Sequence, residues 1–273
     1  MKQSRSRKLI VHDRGTSQPA PAVVLVHGFP FTRTLWSAQA EAFISAGIRV
    51  IDYDLRGFGE NASDDGITTI EDHADDLLAL LDGIKRIKPM VLCGHSLGGY
   101  VALRALERDP ARFAGLVLCG AHAREPSDPE RLQLAAHIRS ITESGVQPFV
   151  RKYLDSTLAR ETRYASGGVY ERLLEEAHSM PATCLKGALL AMMARTGTLR
   201  TLERLNPPLM LMTGTEDELT PPDALLRMGL GVTGSQFVRV PSASHAAPLD
   251  NPEFVGNALR HFIDSDAVRR RMD

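Results

Sequence analysis

The sequence predicts an α/β fold in which a mostly parallel sheet carries helices on both faces. The first indication is a set of short, almost continuously apolar runs, because parallel strands buried on both sides lack the alternation of half-exposed strands. The second is that longer segments with helical spacing alternate with these runs. The third is size, since 273 residues, 43% of them hydrophobic and 24% charged, suffice for one large core.

Seven runs have the length and composition of strands. They cover residues 9–12, 23–26, 48–53, 90–93, 116–119, 209–212 and 237–240, and we expect the first to be antiparallel to the rest. Helical spacing predicts helices over 35–46, 70–84, 97–109, 222–229 and 252–262. Each intervening helix would return the chain to the start of the next parallel strand.

One interval interrupts this alternation. Between residues 124 and 205 only helical patterns occur, over 129–144, 146–158, 169–179 and 183–195. About eighty residues without a strand are too many for one crossover, which needs about a dozen. We therefore predict a helical cap at 124–205, inserted into a core formed by residues 1–123 and 206–273.

Composition restricts the possible partners. A formal net charge of −1 gives no electrostatic reason to expect nucleic acid or an anionic membrane. No apolar stretch could span a bilayer, and the basic start from Lys2 to Lys8 lacks the apolar region of a signal peptide. The three cysteines have neither metal-ligand nor redox spacing, and Cys93 and Cys119 fall in buried strand patterns. The sequence thus predicts a cytoplasmic protein without metal or cofactor, and its oligomeric state stays open.

The most informative motif surrounds Ser96. Gly94 and Gly98 flank this serine at minus two and plus two, between the strand at 90–93 and the helix at 97–109. This is the pattern of a nucleophile elbow, in which side chains at the glycine positions would collide with the neighbouring strand or helix. We therefore expect an exposed serine hydroxyl at a tight strand-to-helix turn.

Two further strands end in residues that could activate this serine. Asp217 follows the strand at 209–212, and His245 follows the strand at 237–240. Chemistry in an open α/β sheet lies at the carboxyl ends of strands, where His245 could accept the serine proton and Asp217 could orient its imidazole. Glu216 and Glu218 compete with Asp217, although the spacing after Gly214 favours the aspartate.

Further residues are predicted to stabilise the oxyanion, to brace its loop or to contact the substrate. The loop His27-Gly28-Phe29-Pro30 follows the strand at 23–26, and its Phe29 N–H, with that of Leu97, could form an oxyanion hole. We expect His27 to brace this loop by hydrogen bonding. The candidate substrate contacts are His122, Phe149, Tyr153 and Pro30. Helical positions predict solvated surfaces for His73, His137 and His178.

Together with Asp54-Leu55-Arg56-Gly57-Phe58-Gly59, these motifs resemble the α/β-hydrolase fold family over nearly the whole chain. The order Ser96, Asp217, His245 is that of the family, and a serine at the elbow implies its acyl-transfer branch rather than the branches with an aspartate nucleophile. Two departures stand out. Asn61 occupies a position where the family usually has serine, and about twenty residues precede Val23, so we expect a shortened opening hairpin.

Within the family, the chain resembles small microbial carboxylesterases, enol-lactonases and cofactor-free haloperoxidases. The resemblance implies a serine hydrolase that cleaves small carboxylic esters through an acyl-enzyme. Pro30 additionally implies a perhydrolase side activity. An enol-lactonase or carbon-carbon hydrolase of aromatic catabolism is an alternative that needs a cation in the cap, for which the candidates are Arg124, Arg131, Arg139, Arg151 and Lys152. A ligand-binding protein on a hydrolase scaffold is the third possibility.

Overall fold

The computed structural model describes residues 9–15, 21–62, 66, 68–84, 89–205 and 207–272, and within them seven strands form one sheet. The strands are β1 (Val11–Arg14), β2 (Ala22–Val26), β3 (Arg49–Tyr53), β4 (Met90–His95), β5 (Phe113–Cys119), β6 (Leu209–Gly214) and β7 (Gln236–Val240). Their order is β1-β3-β2-β4-β5-β6-β7, with β1 antiparallel to β3 and all other neighbours parallel. The predicted fold class is confirmed. The basic start from Lys2 to Lys8 lies outside the described residues.

Burial explains why the strands appear as apolar runs. Every residue of β2, β4, β5 and β6 is buried, whereas the edge strand β7 is mostly half-buried. A strand covered on both faces needs apolar side chains on both, so its sequence does not alternate.

Seven helices in the described residues belong to the core. They are α1 (Ser37–Ser45), α2 (Ile70–Asp82), α3 (Leu97–Arg108), α10 (Pro222–Gly229), α11 (Ala247–Asp250), α12 (Pro252–Ile263) and α13 (Asp266–Met272). Helix α1 packs with α12, and α2 packs with α3. The sequence pattern missed α11 and α13, which are short and carry few apolar residues.

Asn61 explains one departure from the family pattern. Its side-chain oxygen accepts from the N–H of Ile10 at 2.9 Å, and its amide donates to the carbonyl oxygens of Ile10 at 3.1 Å and Asp54 at 2.6 Å. A serine could not bridge these groups, because it has only one side-chain polar atom. Asn61 therefore ties the segment before β1 to the loop after β3.

Six helices occupy the described chain between β5 and β6. They are α4 (Asp128–Ser144), α5 (Val146–Thr157), α6 (Arg160–Arg163), α7 (Val169–His178), α8 (Ala182–Ala194) and α9 (Leu199–Leu205). They form the helical cap, and α4 packs closely with α8. The sequence patterns predicted four of them and missed the short α6 and α9. The domain limits at residues 124 and 205 remain a prediction.

Three observations concern thiols, metals and membranes. Cys93 and Cys119 are buried in β4 and β5, and burial raises the pKa of both thiols. Across the described ranges, no three side chains of the metal-binding types come together as a ligand group. None of the helices described is both long and apolar enough to cross a membrane.

Candidate active site

Ser96 lies at the turn between β4 and α3. Its backbone has φ 48° and ψ −114°, in the positive-φ region that residues with a side chain rarely occupy. The Ser96 N–H donates to the carbonyl of Cys119 at 2.9 Å, and the Ser96 carbonyl accepts from the N–H of Tyr100 at 3.2 Å. The strained turn is thus held from both sides, by β5 and by the first turn of α3.

The flanking glycines allow two close backbone approaches. A Cβ atom on Gly94 would lie 2.4 Å from the carbonyl oxygen of Gly98. One on Gly98 would lie 2.4 Å from the carbonyl oxygen of Val26 and 2.5 Å from that of His27. Since real Cβ contacts are longer, only glycine fits at either position. The second approach brings the end of β2, and with it the loop carrying Phe29, against the start of α3.

Ser96, His245 and Asp217 form a chain of hydrogen bonds. His245 Nε2 lies 2.9 Å from Ser96 Oγ, and His245 Nδ1 lies 3.0 Å from Asp217 Oδ2. The three residues are 6%, 3% and 3% exposed, respectively. With the Nδ1 proton donated to the carboxylate, Nε2 is left to accept the proton of the serine hydroxyl. Three residues distant in sequence therefore meet at the carboxyl ends of β4, β6 and β7.

The surroundings of Asp217 favour its ionised form. Burial alone would raise the pKa of this carboxyl, but His245 and the N–H of Thr220 hold the pKa below its ordinary value. Asp217 Oδ1 accepts from the N–H of Leu219 at 2.9 Å and of Thr220 at 2.8 Å. The competing carboxylates of Glu216 and Glu218 are exposed.

The His245 loop is held by its neighbours. His95 Nε2 lies 2.9 Å from the carbonyl oxygen of His245, and the N–H of Ala246 donates to the Thr157 carbonyl at 2.9 Å. Burial lowers the pKa of His95 to about 3, so its ring is neutral and Nε2–H is the donor. A Cβ on Gly120, whose φ is +58°, would lie 3.0 Å from the His245 ring. The imidazole is therefore fixed by core and cap together.

The candidate oxyanion loop is braced by His27. Its Nε2 accepts from the N–H of Leu55 at 2.8 Å, which leaves Nδ1–H to donate to the Gly28 carbonyl at 3.0 Å. The ring is fully buried, as expected for a bracing residue. Leu97 is the first residue of α3, so its N–H has no partner within the helix. The ring of Phe29 is buried beside Phe58, at a centroid distance of 6.3 Å.

A cavity of about 90 Å³ opens onto Ser96 and His245. One buried water needs about 10–15 Å³ by this measure, so the space suits a small molecule. Its other lining residues are Tyr100, His122, Glu130, Gln133, Leu134, His137, Tyr153, Met192, Arg195, Leu219 and Thr220. The wall is thus partly apolar and partly polar.

Two of the four predicted substrate contacts line the cavity, and the other two do not. His122 and Tyr153 line the cavity, whereas Phe149 and Pro30 are buried outside its lining. The ring of Phe149 lies 5.8 Å from that of Tyr153 and 5.5 Å from that of His137. Phe149 therefore supports the cavity wall from behind.

Two histidines differ from the predicted solvated positions. His73 is fully buried in α2, because it shares the helix face of Ile70 and Leu77. His137 faces the cavity from α4, beside Tyr153. His178 is partly exposed, as is His137 despite its place in the lining.

Sequence reasoning also missed the cation of the cavity. The cap residues proposed for that role, Arg124, Arg131, Arg139, Arg151 and Lys152, do not belong to the lining, and all five are exposed. Arg195, just after α8, lines it instead. A buried position at a helix end carries no periodic signal, so the pattern could not distinguish it from a surface arginine.

Comparison with known proteins gives consistent results. The alpha/beta hydrolase family model matches residues 23–258. The chain is 29% identical over 244 residues to the pimeloyl-(acyl-carrier protein) methyl ester esterase of Aromatoleum aromaticum, covering 85% of this chain and 94% of that esterase. A thermophilic esterase from Thermogutta terrifontis, solved with malate bound, is similar in structure with a TM-score of 0.86 and 32% identity, covering 97% of this chain and 94% of the other. The enol-lactonase from Burkholderia xenovorans has the same TM-score at 21% identity, covering 94% and 96%, and this likeness concerns the fold alone.

Proposed function

This chain belongs to the α/β-hydrolase family, and we propose that it is a serine hydrolase that cleaves small carboxylic esters through an acyl-enzyme. One observation carries the proposal. Ser96 Oγ lies 2.9 Å from His245 Nε2, whose Nδ1 lies 3.0 Å from the buried Asp217 carboxylate, and the serine opens onto a cavity. This geometry has the parts that nucleophilic catalysis requires: a nucleophile, a base and a group that orients the base.

In the acylation step, Ser96 Oγ attacks the ester carbonyl carbon while its proton passes to His245 Nε2. Asp217 keeps the imidazole in the correct tautomer and stabilises the imidazolium. The N–H groups of Phe29 and Leu97 donate to the oxyanion, and loss of one such donor costs about 3–4 kcal/mol of transition-state stabilisation. The alcohol leaves with the proton from His245.

In the deacylation step, His245 accepts a proton from water, whose oxygen attacks the acyl-enzyme carbonyl. The tetrahedral intermediate collapses, the carboxylic acid leaves, and the proton on Nε2 returns to Ser96 Oγ. Each proton transfer uses only the hydrogen-bonded side chains of Ser96, His245 and Asp217.

The alternatives differ in support, since the cation that an enol-lactonase or carbon-carbon hydrolase needs is present in the lining as Arg195. Lactone cleavage uses the same chemistry and stays within the proposal, with a small-molecule ester or lactone as substrate. Acyl transfer to hydrogen peroxide was inferred from Pro30, which lies outside the cavity lining. A purely ligand-binding role leaves the hydrogen-bonded chain at Ser96 without a purpose.

The test is labelling and turnover by the Ser96→Ala variant. We expect the wild type to hydrolyse p-nitrophenyl acetate and to react with a fluorophosphonate probe. The variant should do neither, while its circular dichroism spectrum stays unchanged. Ser244→Ala is the matched control, because Ser244 lies on the neighbouring loop and donates its backbone N–H, rather than its side chain, to Asp250. Equal labelling of wild type and Ser96→Ala would refute the proposal.

A further inference from the structure

The cavity lining includes a buried cation that has no carboxylate partner among the described residues. Arg195 is 6% exposed and lines the cavity together with Ser96 and His245. Its Nη1–H donates to the carbonyl of Met192 at 2.7 Å, and its Nε has no hydrogen-bond partner within the described residues. A buried charge is costly unless it is paired, so a guanidinium that lines a cavity and has no counter-charge points to an anionic ligand.

The acidic residue of the lining does not neutralise this charge. Glu130 accepts from Arg124 Nη1 at 2.5 Å and Nη2 at 2.8 Å, and from the hydroxyl of Ser127 at 2.6 Å. In the described part of the chain, Arg195 lies within ion-pair distance of no carboxylate. Burial lowers the pKa of His122 and of His137, so both are neutral at pH 7. At that pH the uncompensated charge of the lining is that of Arg195.

Arg195 also shares its cavity with the proposed nucleophile. Its guanidinium carbon is 4.0 Å from the centre of the Tyr100 ring. Tyr100 is one helical turn after Ser96 and donates its backbone N–H to the Ser96 carbonyl at 3.2 Å. Because Arg195 and Ser96 line the same cavity of about 90 Å³, one small molecule can place an anionic group on Arg195 and an acyl carbon at Ser96.

We propose that Arg195 binds a carboxylate of the substrate, so that the preferred esters carry a free carboxylate a few bonds from the scissile ester. This inference rests on the proposed function. The planar guanidinium, stacked on Tyr100, presents N–H groups in a fork that matches a carboxylate. Such a charge-assisted contact selects an anionic substrate over a neutral one of the same shape.

The test compares isosteric esters that differ in charge. The first pair is monomethyl succinate, which carries its carboxylate on the acyl side, and the neutral methyl levulinate. The second pair is acetoxyacetate, which carries its carboxylate on the alcohol side, and the neutral acetoxyacetone. For at least one of these two pairs, we expect the wild type to hydrolyse the anionic ester with a kcat/KM about tenfold or more above that of the neutral ester. Arg195→Gln should abolish this preference, because kcat/KM should fall far more for the anionic ester than for the neutral one. Arg195→Lys should retain part of the preference.

The matched control is Arg139→Gln, which removes an exposed cap arginine of α4 and should leave the preference unchanged. An equal loss on both members of each pair would indicate a structural role for Arg195 and overturn the proposal. If Arg195→Gln does not fold, inhibition of the wild type tests the proposal instead. Succinate should inhibit neutral ester hydrolysis more strongly than 2,5-hexanedione, and equal inhibition would overturn the proposal. Hydrolysis of neutral esters that requires Ser96 but shows no charge preference would refute this inference alone.

Discussion

The core side and the cap side of the cavity differ in how completely their polar groups are satisfied. On the core side, both ring nitrogens of His245 and both oxygens of Asp217 have hydrogen-bond partners. On the cap side, Nε of Arg195 is buried without a partner in the described chain. The groups around Ser96 are therefore organised before any ligand arrives, whereas the cap side holds an Nε–H that a ligand can accept from. We expect changes on the core side to affect kcat and changes on the cap side to affect selectivity.

Asp217→Asn should produce the largest effect. It keeps the side-chain shape but removes the charge that orients and stabilises the His245 imidazole, so kcat should fall about 10⁴-fold with little change in KM. Steady-state kinetics with p-nitrophenyl acetate measures this split. Glu216→Gln, at the exposed neighbouring carboxylate, should leave kcat unchanged. A kcat for Asp217→Asn close to that of the wild type would contradict the role assigned to the core side.

We expect the free energy of unfolding to fall in acid, because a neutral histidine is buried in the core. Burial lowers the pKa of His73 to about 4, below the ordinary value of 6.5. The unfolded chain therefore binds a proton that the folded chain does not, and stability falls as the pH drops from 6.5 towards 4. The contribution is about 3 kcal/mol over this window. Urea unfolding at pH 7 and pH 4 measures it.

His73→Leu should reduce this pH dependence, because it removes a ring whose two nitrogens have no partners in the described residues. His261→Gln is the control, since that histidine is exposed on α12 and its replacement should leave the wild-type slope. Parallel pH profiles for wild type and His73→Leu would show that His73 does not cause the loss.

Met192→Ala should produce the smallest effect and should act on selectivity. Met192 lines the cavity from α8, so its truncation enlarges the space for the acyl chain. The ratio of kcat/KM for p-nitrophenyl hexanoate to that for the acetate should rise about tenfold. Met193→Ala is the control, because this neighbour lies outside the lining. An unchanged ratio would show that this part of the cap does not contact the acyl chain.

The difference between the core side and the cap side of the cavity also explains which site residues could be predicted from the sequence. Parallel strands bring their carboxyl ends to one edge, so Ser96, Asp217 and His245 could be grouped from strand order and spacing alone. The cap wall depends on which face each helix turns inwards. Helix α8 is apolar on most sides, so its pattern does not indicate the cavity face or the place of Arg195 beyond its end. The burial of His73 could have been predicted, because it lies three residues after Ile70 and four before Leu77, on the apolar face of α2. The polarity of histidine led instead to the prediction of a solvated position.

The contacts between cap and core bear on the route by which ligands enter and leave. Glu176 of α7 accepts from the hydroxyls of Thr32 at 2.9 Å and Thr34 at 2.8 Å. Asp250 of α11 accepts from the Thr162 hydroxyl at 2.6 Å, and also from the N–H of Ser244 at 2.8 Å. A hinged swing of the whole cap would break both attachments and disturb the loop of the proposed base. We therefore expect the cap to stay attached at these two points while ligands pass, which keeps the serine and histidine within hydrogen-bond distance throughout turnover.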